Sequence, residues 1–255
     1  MKNSLANVQA RRADIERLVD RHRIATVKGL ALRLKVSEIT IRRDLKILHA
    51  MGRVKWHNGL VEAIAGQGGG EQRTWAVIAQ RIAAAVPNYI ARYSTLFMNA
   101  NSLCLQVINE LAKIPVTVIT NNPCATACAR HEGTKIMITG GRVSTKKSVL
   151  AGSETLNFLS SAIADVTVIG CDGISVDGGL TSSNAEAAAI DSMMVTKAKK
   201  CVICLADYRK IGATQQYHIA DLGKVDILIT DSFADEAVLQ RARRKGINVI
   251  QVTVW

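Results

Sequence analysis

The sequence predicts an α/β protein in two parts. A small unit of three helices closed by a β-hairpin precedes a larger, mostly parallel sheet with helices on both faces. Three observations carry this. Positive charge is concentrated at the start: of a formal net charge of +12 over 255 residues, the first 60 hold 14 Lys/Arg against 5 Asp/Glu. Helical periods in that stretch end at an Asn-Gly pair. Beyond it, seven apolar runs of strand length alternate with helical segments.

The first unit reads as helix, helix, turn, helix, hairpin. In "NVQARRADIERLVDRHR", Ile15, Leu18 and Val19 line one side of an amphipathic helix. "ATVKGLALRLKVS" gives a short second helix, with Thr26 as N-cap and Leu30, Ala31 and Leu34 at helical spacing. Ser37 is the next N-cap, and "EITIRRDLKIL" is the third helix, stopped by Gly52. "RVKWHNGLVEA" alternates around Asn58-Gly59, the strongest two-residue hairpin signal. This is the order of a winged helix-turn-helix, expected over residues 1–64.

The third helix has two unlike faces. Ile41, Leu45 and Leu48 form a buried stripe, while Ile39, Arg42, Arg43 and Lys46 share the outer half. A solvated cationic face would look the same in isolation. Three features favour DNA: the element order, the basic surplus upstream and the wing. In a helix-turn-helix this helix enters the major groove, where arginine pairs with guanine and an apolar side chain meets a thymine methyl. Ser37 and Thr40 suit phosphate oxygens, as does Thr26 at the preceding helix start, and Lys55 and His57 project from the wing. Asp44 lies beside the inner face and is expected to pair with an arginine of the first helix.

"AGQGGGEQRT" reads as a linker over residues 65–74, followed by the helix "TWAVIAQRIAAAV". The apolar runs "TLFMN", "VTVIT", "KIMIT", "VTVIG", "CVICL", "DILIT" and "INVIQV" then predict strands, with helices at 102–112, 123–131, 154–162, 185–199 and 234–245. This part, residues 75–255, is the expected effector-binding domain.

The six cysteines do not form a metal or disulfide pattern. Cys201 and Cys204 fall on a strand, where i and i+3 face opposite ways, and Cys124 and Cys128 share a helical face without a second ligand pair. No metal and no cofactor is expected. The start "MKNSLANVQARRADIERL" has no apolar core of signal-peptide length, and no run reaches ~18 apolar residues, so a cytoplasmic protein without membrane contact is expected.

The segment "VSEITIRRDLKIL", with "MGRVKWHNG" after it and "RIATVKGLALRLKV" before it, resembles the DeoR-type family of bacterial repressors. The match runs through Val36, Ser37, Thr40, Ile41, Arg42, Arg43, Asp44 and Leu45. The wing departs from the family pattern, since His57 is followed by Asn58-Gly59-Leu60. The resemblance implies a C-terminal domain like ribose-5-phosphate isomerase that binds a phosphorylated sugar or related metabolite. Onto its motifs fall Thr120 and Asn121, Gly140 and Gly141, Gly170 to Gly173 with Asp172, Glu186, and Asp207 with Lys210. All are expected at the carboxyl ends of predicted strands, where open α/β sheets bind ligands.

The first strand departs from the resemblance. The family has Asp-x-Gly-Thr-Thr, a phosphate cradle, where this chain has Asn99, Asn101, Ser102 and Leu103. A charge, a glycine and one hydroxyl are lost, Ser102 keeps a hydroxyl as helix N-cap, and either a changed effector, less dependent on phosphate, or a weakened site is expected. The expected function is a sequence-specific transcriptional regulator, a repressor of a carbohydrate-catabolic operon, acting on double-stranded operator DNA as at least a homodimer. The alternative is a sugar-phosphate isomerase with a basic appendage. It is disfavoured because the altered cradle would position substrate poorly.

Overall fold

The computed structural model describes residues 5–64, 70–111, 114–128, 133–144 and 149–254. The chain forms two units, dividing between Val77 and Ile78.

The N-terminal unit holds α1 (Leu5–His22), β1 (Ile24–Thr26), α2 (Val27–Leu34), α3 (Glu38–Ala50), β2 (Val54–His57) and β3 (Leu60–Ala63). Its core is Ile15 and Val19 from α1, Leu30 and Ala31 from α2, Ile41, Leu45 and Leu48 from α3, and Val54 and Val61 from the hairpin, all buried. The boundaries follow local chemistry. Thr26 Oγ1 accepts from Gly29 N–H at 2.9 Å and starts α2. Lys35 ends it in the left-handed region at φ 52°. After α3, Gly52 at φ 65° lets Arg53 N–H reach back to the Leu48 carbonyl at 2.8 Å. Asn58 and Gly59 have φ values of 47° and 80°, as a two-residue type I′ hairpin requires. The sequence reading missed β1, a three-residue strand that pairs antiparallel with β3 and makes the wing a three-stranded sheet. At that length it has no detectable alternation.

The helix α4 (Gly70–Ala85) begins five residues before the end of the expected linker. Residues 70–74 are "GEQRT", polar, but Glu71, Gln72 and Arg73 are good helix formers, so polarity alone misread them. The remainder of that linker, 65–69, lies outside the described residues.

The C-terminal unit is built on seven parallel strands in the order β15-β14-β12-β9-β4-β5-β6. They are β4 (Thr95–Met98), β5 (Thr117–Thr120), β6 (Lys135–Ile138), β9 (Ala164–Gly170), β12 (Ala198–Leu205), β14 (Ile227–Asp231) and β15 (Asn248–Val252). These are the seven apolar runs read from the sequence. Between them lie α5 (Ser102–Glu110), α6 (Ser153–Ser161), α7 (Ala185–Thr196) and α8 (Glu236–Arg244). The chain leaves β4 toward β5 and β6, returns to β9 on the other side of β4, then continues outward through β12, β14 and β15. The direction of winding therefore reverses between β4 and β9, and their carboxyl ends flank a topological switch point.

Two smaller sheets lie outside this pattern: β7 (Arg142–Ser144) with β8 (Val149–Ala151), and β10 (Gly173–Ser175), β11 (Gly179–Ser182) and β13 (Tyr217–Ala220). All five strands have three or four residues, and β10 and β11 begin with glycine, so they read as loop in the sequence. The helix expected at 123–131 is instead a 3₁₀ turn over Pro123–Ala127, with Cys128 extended. Thr126 Oγ1 donates back to the Pro123 carbonyl at 2.9 Å, a bond that competes with helix continuation. Residues 129–131 are outside the described residues. The helix expected to reach 199 ends at Thr196, because Ala198 already pairs with Ala164 of β9.

Candidate functional site

Each unit carries one candidate site. In the first it is the outer face of α3. Ser37 caps the helix, its Oγ accepting from Thr40 N–H at 3.3 Å and lying 2.9 Å from Thr40 Oγ1. Ile41, Leu45 and Leu48 bury the inner stripe, and Asp44 is buried with them. Ile39, although apolar, is 71% exposed. Arg42, Arg43 and Lys46 are exposed on the same side. Arg42 lies 3.6 Å from Glu38, with both side chains about half exposed. Such a pair contributes at most about 1 kcal/mol and leaves the guanidinium free to move to another acceptor.

Asp44 Oδ2 accepts from Arg11 Nε at 2.6 Å, and Oδ1 from Arg12 Nε at 2.9 Å. The carboxylate is 2% exposed, so α3 is pinned to α1 through a buried, doubly paired charge. The sequence suggested one such arginine, and α1 supplies two, at adjacent positions. In the wing, Lys55 and His57 are exposed, while Val54 is buried. Thr26 pairs with Leu60 across β1 and β3, and Val27 N–H donates to the Gly59 carbonyl at 3.1 Å. The start of α2 and the wing turn therefore adjoin. The face presents cations, hydroxyls and one apolar side chain over a rigid inner stripe, a set suited to phosphates and base edges.

The second site is the carboxyl edge of the seven-stranded sheet. Asn99, just past β4, is 4% exposed. Its Nδ2 donates to the Gly170 carbonyl at 2.8 Å, and its Oδ1 accepts from Gly170 N–H at 3.1 Å and from Cys104 Sγ at 3.2 Å. It latches β4 to β9 across the switch point. Asn101, not Ser102, is the N-cap of α5: its Oδ1 accepts from Leu103 N–H at 2.9 Å. Its backbone is extended, at φ −81°, so the glycine expected at this turn is not needed. The Asn101 amide lies against Gly170, filling the space a Cβ would take there. Ser102 is exposed as the first helical residue, and Leu103 is buried.

At the end of β5, Thr120 is fully buried, and its hydroxyl accepts from Asn122 N–H at 3.1 Å. It shapes the turn and presents nothing at the edge. Asn121 is 2% exposed; its Nδ2 donates to the Leu150 carbonyl at 3.0 Å, and its buried Oδ1 has no hydrogen-bond donor. Gly140 and Gly141 follow β6 at φ 73° and 115°, and a Cβ on Gly141 would run into Thr155 and the Ala151 carbonyl. Past β9, Asp172 Oδ2 accepts from Ser183 N–H at 2.9 Å and Ser183 Oγ at 2.7 Å. Its Oδ1 lies 3.5 Å from Lys210 Nζ, which also donates to the Cys171 carbonyl at 3.0 Å. Gly173 is closed in by the Ala213 carbonyl and Thr181. Glu186, in the first turn of α7, pairs with Arg142 of β7 at 2.6 Å.

Sequence reasoning did not single out Arg142 or Asp231. Asp231 ends β14 fully buried, accepting from Tyr208 N–H at 2.8 Å and Phe233 N–H at 2.9 Å. Burial pushes its carboxyl up to about 6, against the pull of those two N–H groups and with a further push from Asp207. The signal was a carboxylate closing an apolar strand, "DILITD". Asp207 is 2% exposed and held by Arg209 Nε at 2.8 Å. Cys171 and Cys204 lie 3.9 Å apart, sulfur to sulfur, both buried, and the contact with Cys171, then burial, pushes the Cys204 thiol well up. They are inert core thiols. No group of three or more His, Cys, Asp or Glu able to hold a metal occurs among the described residues. No helix among them is long and apolar enough to cross a membrane.

Residues 11–64 match the DeoR-like helix-turn-helix domain, and residues 78–232 match the DeoR C terminal sensor domain. The HTH-type transcriptional repressor GlcR of Bacillus subtilis is 28% identical over 235 residues, covering 90% of each chain. The L-fucose operon activator of Escherichia coli is 28% identical over 230 residues, 87% of this chain and 94% of the relative. Among solved structures, ribose 5-phosphate isomerase from Plasmodium falciparum is similar over 53% of each chain, at 16% identity and a TM-score of 0.37. That likeness is too slight to bear on activity. With both its domains matched and its relatives spanned nearly end to end, this chain belongs to the DeoR family of helix-turn-helix transcriptional regulators.

Proposed function

We propose that this regulator is a repressor of a carbohydrate-catabolic operon, released from its operator by a phosphorylated sugar or a related metabolite. The observation that carries it is the outer face of α3. Ile39, Arg42, Arg43 and Lys46 are exposed over an inner stripe that is buried and locked by Asp44. Arg42 and Arg43 read base edges in the major groove, and Ile39 contacts a thymine methyl. Lys46, Ser37, Thr40 and Thr26 hold phosphates, and Lys55 and His57 extend the contact from the wing. Two-fold operators match two-fold proteins, so the working form is a homodimer or a larger assembly.

The effector site is the carboxyl edge, formed by Asn99, Asn101 and Ser102, Asn121, Gly140 and Gly141, Asp172 and Gly173, Glu186 and Lys210, with Thr120 shaping the turn after β5 rather than facing the ligand. The switch point between β4 and β9 supports this placement. Among its ionisable groups, each cation is already hydrogen-bonded within the chain, which favours binding and positioning over catalysis. The chain is read as no enzyme, and the names of its relatives, a repressor and an operon activator, support that reading. An effector changes DNA affinity only by the difference in its own affinity for the two states of the protein.

The test is binding of the purified chain to the DNA upstream of its own and neighbouring genes at several salt concentrations, with and without sugars and their phosphates. A steep salt slope with release by one compound is the expected result. Turnover of a sugar phosphate, independent of DNA, would overturn the reading.

A further inference from the structure

We infer that the phosphate of the effector binds at the start of α6, against Arg142, and not at the start of α5. The inference rests on the carboxyl edge being the site of a phosphorylated effector, and it names the residues that hold the charged group.

The start of α5 is filled from within the chain. Asn101 Oδ1 accepts from Leu103 N–H at 2.9 Å, and the Asn101 amide lies against Gly170. Asn99 commits both amide atoms to Gly170. Leu103 is buried and offers no hydroxyl. A phosphate at this position would have to displace a side-chain cap.

The start of α6 is built differently. Its N-cap is Gly152, at φ 106°, and no side chain caps the helix. Thr155, in the first turn, donates its hydroxyl to the Gly140 carbonyl at 2.8 Å, which ties this helix start to the Gly140-Gly141 turn after β6. β7 and β8 pair so that Arg142 lies opposite Ala151, the residue before Gly152. A guanidinium and an uncapped helix start therefore adjoin, and both attract a phosphate.

A second observation places a ligand here. Asn121 is bonded to Leu150, two residues before Gly152. Its main-chain carbonyl accepts from Leu150 N–H at 2.9 Å, and its Nδ2 donates to the Leu150 carbonyl at 3.0 Å. These bonds fix the amide, and its buried Oδ1 has no hydrogen-bond donor. A ligand hydroxyl supplies one. A phosphate on Arg142 and a hydroxyl on Asn121 belong together on a phosphorylated sugar or polyol.

Among the described residues, the cations of this edge are not equally available. Arg209 grips Asp207 through Nε at 2.8 Å and Nη2 at 3.0 Å, and freeing it would leave a buried carboxylate unpaired. Lys210 donates to the Cys171 carbonyl at 3.0 Å and lies 3.5 Å from Asp172. Arg142 meets only Glu186, and both side chains are more than half exposed, so water weakens the pair. A phosphate monoester carries about −1.5 to −2 near neutrality and can take a guanidinium through two oxygens, which favours it over a single carboxylate. Glu154, whose carboxylate lies near Gly152, and Glu186 are both exposed and can turn into solvent as the phosphate enters.

The experiment is calorimetric titration of the full chain with ribose 5-phosphate, glucose 6-phosphate, fructose 1-phosphate, fructose 6-phosphate, glycerol 3-phosphate and inorganic phosphate. The ester that binds tightest is then titrated into Arg142→Gln, Ser153→Asp and Ser102→Asp. Ser153 and Ser102 are the exposed first residues of α6 and α5, where an added carboxylate suits the helix and repels a phosphate. Arg142→Gln and Ser153→Asp should each weaken the ester about tenfold or more, and the loss from Ser153→Asp should exceed that from Ser102→Asp about fivefold. An excess of inorganic phosphate should displace the ester. Indifference to Arg142→Gln, a larger loss from Ser102→Asp than from Ser153→Asp, or no heat from any of these compounds would each overturn the inference. DNA binding measured alongside separates this result from the wider reading. An ester that releases DNA but binds Arg142→Gln and Ser153→Asp as it binds the parent keeps the release and overturns the phosphate site. An ester bound through Arg142 that leaves DNA affinity unchanged ends the release mechanism and supports the site.

Discussion

Asp44 Oδ2 and Arg11 Nε are 2.6 Å apart in a pair where the carboxylate is 2% exposed and the guanidinium 13%. With Arg12 on the other oxygen, this contact fixes the rotation of α3 about its own axis. That rotation decides which residues face outward. Asp44→Ala leaves two guanidinium groups without a counter-ion at a partly buried site, and removal of one partner from a buried pair costs about 3–5 kcal/mol. Urea denaturation of the N-terminal unit should show a loss of that size, with specific DNA binding weakened in parallel. A loss under 1 kcal/mol would mean that the apolar stripe alone orients α3.

Asn99 holds β4 to β9 with a donor and an acceptor. Asn99→Asp would turn a carboxylate oxygen toward the Gly170 carbonyl, which now lies 2.8 Å from Nδ2. At pH 7 the substitution should cost about 3 kcal/mol, since a buried charge loses a partner and meets another acceptor. Near pH 5 the loss should shrink, because a protonated carboxyl can donate to Gly170 again. Denaturation at both pH values tests this. Equal stability of variant and parent at pH 7 would show that the latch contributes nothing.

Asp231 should impose its own pH dependence. Its carboxyl is pushed up to about 6 by burial, above the ordinary 3.8. Between those values the folded chain binds more protons than the unfolded chain, so this group's contribution to stability falls as pH rises from about 4 to about 6. The change is about 3 kcal/mol. Asp231→Asn should flatten the slope in that window. It should also cost stability at low pH, because an amide offers one acceptor where two N–H groups, of Tyr208 and Phe233, need one. An unchanged slope would mean that the carboxyl titrates at its ordinary value.

Much of this architecture was legible in the sequence because apolar period and turn chemistry agree. The seven apolar runs are the seven parallel strands, and Asn58-Gly59 is the wing turn. The small strands β7, β8, β10, β11 and β13 were not legible. Three or four residues, opened by glycine in β10 and β11, carry no usable alternation, and pairing partners hold them. The N-terminal site was readable as a face, since helical spacing separates Ile41 and Leu45 from Arg42 and Lys46. The C-terminal site was readable as a set of positions but not as a network. That Asn101 lies on Gly170, or that Arg142 meets Glu186 from 44 residues away, depends on strand order, which no local pattern encodes.

The wing contacts should be of a different kind from those of α3. Lys55→Ala should weaken binding to all DNA sequences about equally and lower the salt slope by about 1, as loss of one phosphate contact does. A change in base preference would place Lys55 in a groove instead.

The outward face of α3 is tested most directly by Arg42→Ala, with binding to the operator, to each single-base variant and to unrelated DNA measured at one salt concentration. A loss of about 1–3 kcal/mol confined to the operator, with relaxed preference at one base position, is the predicted result. Equal weakening on every sequence would contradict it, and would leave Arg42 holding a phosphate rather than reading a base.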